Sequence, residues 1–147
     1  MPNGNEPFPE FDRLEKPLRD CDADFDTFAA ANGCTLIRNY HNSPSRILRV
    51  PLGMQLEGGI EVCPVLRDTR KGWGVGNYFY VVGIDVIRDT DEGRYAAFKS
   101  IAEIDPHKMG RIAIKESLEE AWKELPLLAR GKLTFYKFPT GPRSHGL

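Results

Sequence analysis

Asn77–Asp89, NYFYVVGIDVIRD, is the stretch on which the fold turns. Its even positions, Tyr78, Tyr80, Val82, Ile84 and Val86, are apolar without a break. Period two is the repeat of a β-strand, in which successive side chains point to opposite faces. The odd positions mix Phe79, Val81 and Ile87 with Gly83 and Asp85, so the second face is only partly covered. Asp89-Thr90-Asp91-Glu92-Gly93 then carries the small polar residues and glycine of a tight turn. Arg94–Ile104 is the expected return strand, and the two form a hairpin.

Further strands precede this hairpin. Thr35–Tyr40 is a short candidate, followed by the polar loop His41–Ser45. Arg46–Leu52 alternates, with Leu48, Val50 and Leu52 on one face and Ile47, Arg49 and Pro51 on the other. Ile60–Arg67 places Ile60, Val62 and Leu66 inward and Glu61, Cys63, Val65 and Arg67 outward. Pro51 and Pro64 cannot donate a ladder hydrogen bond, which points to strand ends or a sheet edge. Lys132–Phe138 is a last short candidate.

Helical patterns flank the strands. Asp20–Ala31 opens on Asp20, Asp22 and Asp24, which favour the positive end of a helix dipole, and Gly33 supplies a stop. Phe25, Phe28 and Ala29 share one face of it. From Arg111 to Leu125, Ile114, Leu118, Ala121, Trp122 and Leu125 form a stripe suited to a sheet, with Glu119 and Lys123 as an i, i+4 pair on the wet side. Pro126 is expected to end or kink that helix. Strands grouped between helices, without β-helix-β alternation, predict an α+β fold. The expected architecture is an antiparallel meander of four to five strands, packed on one face by an N-terminal and a C-terminal helix. The other face is expected to carry alternating charge: Arg49, Glu61, Arg67, Asp85, Lys99 and Glu103.

A chain of 147 residues fits one domain, 1–147, with residues 1–10 as a loose proline-bearing arm and 139–147 as a loose tail. No apolar run reaches the roughly 18 residues of a membrane span, and the first residues lack a signal-peptide pattern. Three widely spaced cysteines, Cys21, Cys34 and Cys63, form no disulfide framework. A cytoplasmic protein without membrane association is the expectation. Net charge is −1, but residues 1–31 hold eight acids and three bases, and residues 107–147 eight bases and four acids. The two ends should therefore attract each other. A nucleic-acid partner is disfavoured, because binders of that class carry a concentrated basic stripe.

Several motifs fail on inspection. Gly72-Trp73-Gly74-Val75-Gly76 is glycine-rich, but a strand follows where a phosphate loop needs a helix N-terminus. Asp89-x-Asp91 lacks the glycine and glutamate positions of a calcium loop. His41, His107 and His145 have no metal-ligand spacing, so neither metal nor cofactor is expected.

Two groups of residues remain as candidates. Trp73 stands among glycines beside Arg67, Arg70 and Lys71, and tryptophan and arginine are enriched at binding hot spots. These four form the expected partner-binding site. Tyr78, Tyr80, Asp85 and His41 are the candidates for a pocket. Asp85 is expected to pair with Lys99 or an arginine of a neighbouring strand.

With no catalytic motif in view, the leading expectation is a non-enzymatic protein-binding module, an adaptor, chaperone or immunity-type binder. The helix–meander–helix order resembles such proteins in outline only. The alternative is a small enzyme or ligand binder with a pocket between sheet and helices. A homodimer through an edge strand is compatible with either.

Overall fold

A computed structural model describes residues 10–53 and 55–131, and the backbone of Tyr136 and Lys137. The hairpin forms as its alternation dictates: β4 (Tyr78–Thr90) pairs antiparallel with β5 (Gly93–Ile104). Ahead of them come β1 (Thr35–Arg38), β2 (Arg46–Gly53) and β3 (Leu56–Leu66). A two-residue β6 (Tyr136–Lys137) pairs with Tyr95 and Ala96 of β5. The strands lie in sequence order, an antiparallel meander. The expected arm before Glu10, the tail from Pro139 and most of Lys132–Phe138 lie outside the described residues.

Both strand prolines sit where one neighbouring strand has ended. β2 pairs with β3 only as far as Val62, and β1 pairs with β2 only as far as Arg49. Pro64 and Pro51 lie just beyond those limits. Their missing N–H groups therefore cost no ladder bond.

All three helices pack on the face that carries Tyr78, Tyr80, Val82, Ile84 and Val86. An N-terminal helix absent from the sequence expectations, α1 (Phe11–Arg19), precedes α2 (Asp22–Asn32), which closes on Gly33 at φ 68°. One apolar stripe, Leu14, Leu18, Cys21, Phe25 and Ala29, runs through both helices at spacings of three and four. Pro17 sits inside α1 and masks its helical pattern. At the other end α3 runs Arg111–Arg130, straight through Pro126. The helix does not end there, because side chains beyond the proline still bury against the core. Leu128 and Ala129, beyond it, pack on the core.

The β4–β5 register shifts by one residue after Val82↔Ala102, so that Gly83 meets Ser100 and Ile101 is the extra residue. This bulge moves Lys99 to the helix side, where it bonds Glu124 of α3 at 2.6 Å. Lys99 thus leaves the charged face on which simple alternation places it. No helix among the described residues is long and apolar enough to cross a membrane.

Candidate functional site

The helix-free face of the sheet is built on three adjacent strands. Arg49, Gly59 and Asp85 lie side by side on β2, β3 and β4. Because Gly59 has no side chain, the Arg49 guanidinium reaches across β3 to bond the Asp85 carboxylate. A Cβ at Gly59 would overlap both groups. Glu57 stands 3.7 Å from the same guanidinium. Asp85 is therefore paired, with an arginine two strands away and not with Lys99. Nearby, burial and the Asp85 charge push the Glu61 carboxyl up from its usual range. Burial, helped by Glu61, pushes the Cys63 thiol up to about 12, so it stays protonated and weakly nucleophilic at neutral pH. Phe98 is 58% exposed on this face and lies over Gly83, where a Cβ would overlap its ring.

Toward the end of the face nearest residues 67–77, the side chains become apolar and cationic. Phe79 and Val65 are cross-strand neighbours, and the Arg67 guanidinium stacks 4.5 Å above the Phe79 ring. Arg67 also shares a cleft of about 280 Å³ with Val75, which is 78% exposed. Arg70 and Lys71 are exposed on the same loop, Arg70 paired with Asp68. Asn77 ties the loop closed by accepting from Asp68 N–H and donating to Asp68 O.

Trp73 behaves differently from its basic neighbours. It is half-buried, edge-on to Tyr78 at 6.2 Å, and its carbonyl accepts a hydrogen bond from Arg13 of α1. It also lines a second cleft of about 280 Å³ with Tyr40, Pro64 and Cys63, beside the β3 segment that β2 leaves unpaired. Trp73 fastens the loop to the body, while Arg67, Arg70 and Lys71 remain presented.

The four pocket candidates are not brought together. Tyr80 is fully buried on the helix side, donating its hydroxyl to Leu14 O at 2.7 Å, with Tyr78 beside it. Asp85 is on the opposite face. His41 is exposed in the loop before β2, at φ 52° and edge-on to Tyr40. Ser45 is used structurally there, accepting from Tyr40 N–H and donating to Ser43 O.

Sequence reasoning missed the most heavily bonded charge. Arg46 is 1% exposed, and all five of its N–H donors are used. Nε and Nη2 bond Asp22 at 2.7 and 3.0 Å, and Nη2 also bonds Glu15 at 2.6 Å. Nη1 bonds Asn39 Oδ1 at 2.9 Å and Ser45 O at 2.8 Å. One guanidinium so joins α1, α2, β2 and the loop before β2. Burial alone would raise the Asp22 carboxyl, but Arg46 and Arg38 outweigh it and hold it below the usual range. The only sequence cue was an arginine at an inward position of β2.

The two chain ends do attract: Arg111 at the start of α3 bonds Asp24 of α2 at 2.8 Å. Cys21 is buried, Cys34 and Cys63 are half-buried, and all three are free thiols. No group of three His, Cys, Asp or Glu among the described residues could hold a metal ion. The chain matches no protein-family model, no curated protein and no solved structure.

Proposed function

We propose that this chain is a protein-binding module, and that the loop end of its helix-free sheet face is the contact surface. The observation that carries the reading is the continuous patch of Val75, Arg67, Phe79 and Val65. Exposed aliphatic groups flank an arginine stacked on an aromatic ring, with Arg70 and Lys71 alongside. Arginine and aromatic side chains dominate binding hot spots, and a stacked guanidinium keeps its donors free for a carboxylate. Charge complementarity selects the partner: a folded protein presenting acidic side chains around an apolar centre.

Pairing along β5, past the two residues that β6 meets, is the weaker route. That edge carries Lys99 and the bulge at Ile101, both of which obstruct strand addition.

Capture from a lysate of the source organism, followed by binding measurements with the purified captured protein, tests the proposal. Arg67→Ser and Val75→Asp should each weaken binding about tenfold or more, as hot-spot losses do. Arg130→Ser, at the far end of α3, should leave it unchanged. A captured protein that binds all three variants equally would remove this surface from the reading.

A further inference from the structure

On the opposite side of the molecule a groove of about 690 Å³ runs between α2 and α3. Its floor is aromatic: Phe28 of α2 and Trp122 of α3 meet edge-on at 5.7 Å, with ring planes 86° apart. Along its α3 rim stand Lys115, Glu119 and Lys123, four residues apart and all exposed. Among the described residues, none of the three makes an ion pair, so the expected Glu119–Lys123 pair does not form. At 3.6 residues per turn, Ile112 falls on the same quarter-turn of α3 as these charges. Ile112 is 77% exposed and lies just outside the residues that line the groove.

We infer that this groove takes an amphipathic α-helix from a protein partner, read by a charge sequence. The Arg111–Asp24 ion pair joins α3 to α2 at one end of the groove, and beyond it the rims are exposed at Thr27, Ala31, Lys115 and Lys123, whereas small-molecule sites enclose most of their ligand. A laid-in helix would instead bury one stripe and leave its other face wet, as helix-in-groove recognition does. Its apolar residues at i, i+3 or i+4, and i+7 would cover the Phe28–Trp122 floor. The rim then sets the partner's flank. Positive, negative, positive on α3 is matched by negative, positive, negative at the same spacing. Lys115 and Lys123 are eight residues, about 12 Å, apart, so the two acids of the partner are two turns apart. This pattern reads the same in both directions, so it fixes register and leaves helix orientation to the apolar contacts. The surface is separate from the sheet-face patch, and a module with both could hold two partners.

The probes are two synthetic helices of about 18 residues, roughly five turns. Both carry the same leucine stripe, and neither contains tryptophan. One has an acid–base–acid flank and the other base–acid–base. Binding is read by calorimetry on the wild-type chain and by Trp122 emission in Trp73→Phe, since the chain has two tryptophans. The acid–base–acid helix should bind about tenfold tighter than the other, three flank pairs acting together. The exposed triple exchange Lys115→Glu, Glu119→Lys, Lys123→Glu should reverse that preference without disturbing the fold. Arg67→Ser should change neither binding, which separates this inference from the sheet-face reading. Equal binding of the two helices, no binding of either, or an unreversed preference would overturn the inference. Displacement of the helix by dodecanoate at equal concentration would overturn it in favour of a small amphipathic acid.

Discussion

Arg46 and Arg49 lie three residues apart on β2, point to opposite faces, and solve the same problem differently. Each is held by two carboxylates, Arg46 by Glu15 and Asp22, Arg49 by Asp85 and Glu57. Toward the helices there is no water to share, so Arg46 uses all five donors within the protein. On the helix-free face Arg49 keeps about a fifth of its side-chain surface in water and spans a glycine to reach its partner. The first arrangement joins elements far apart in sequence. The second charges a surface while leaving its apolar neighbours accessible. A buried ion pair is weak evidence of net stability, yet removing one member leaves a charge without compensation. The two arginines should therefore respond very differently to substitution.

The largest effect is expected at Arg46. Arg46→Met leaves Glu15, which is only 5% exposed, with Arg19 as its remaining cation, and should cost about 3 kcal/mol in denaturant unfolding, the low end for a broken buried pair. Adding Glu15→Leu should recover part of that loss; no recovery would mean that packing, and not charge, holds this corner. Gly59→Ala comes next. It should break the Arg49–Asp85 bridge by steric overlap and cost about 1–3 kcal/mol, the usual range for overpacking. An unchanged midpoint would show that Arg49 can swing outward freely.

The smallest effect contrasts the two faces through pH. Asp22 has a lowered folded pKa, so its contribution is full above the ordinary aspartate value of about 3.9 and drains away as pH falls through the folded value. Glu61 has a raised folded pKa, because burial and Asp85 oppose its charge. Stability linked to it is present at low pH and is lost as pH rises from about 4.3 toward the folded value. Glu61→Gln should thus match the parent near pH 3.5 and exceed it at pH 7 by under about 1 kcal/mol, a small single-site gain. A variant weaker than the parent at pH 7 would break the contrast.

How much of this was legible in the sequence depended on range. The β4–β5 hairpin could be read because its period and its turn are local properties. So could α2 with its Gly33 stop, and the stripe of α3. The first helix was hidden by Pro7, Pro9 and Pro17, although Leu14 and Leu18 begin a stripe that continues to Cys21 and Phe25. Grouping Tyr78 and Tyr80 with Asp85 overlooked parity: even and odd positions of one strand cannot share a pocket. The Arg46 cluster joins residues 24 and 31 positions apart, and no local pattern foretells that meeting. Arg49–Asp85 needed the register of three strands and the emptiness of Gly59 between them.

The extra residue in β5 has a consequence of another kind. One residue is half a period of a strand, so Ile101 acts as a phase shift between two lengths of the same ribbon. Before it, Ala97 and Lys99 are turned toward the helices; after it, Ala102 and Ile104 are. Without Ile101, plain alternation would carry both lengths with every pairing kept, Ser100 opposite Gly83 and Ala102 opposite Val82. The bulge is thus the one joint in this ribbon where a residue can be lost and each face keep its own side chains.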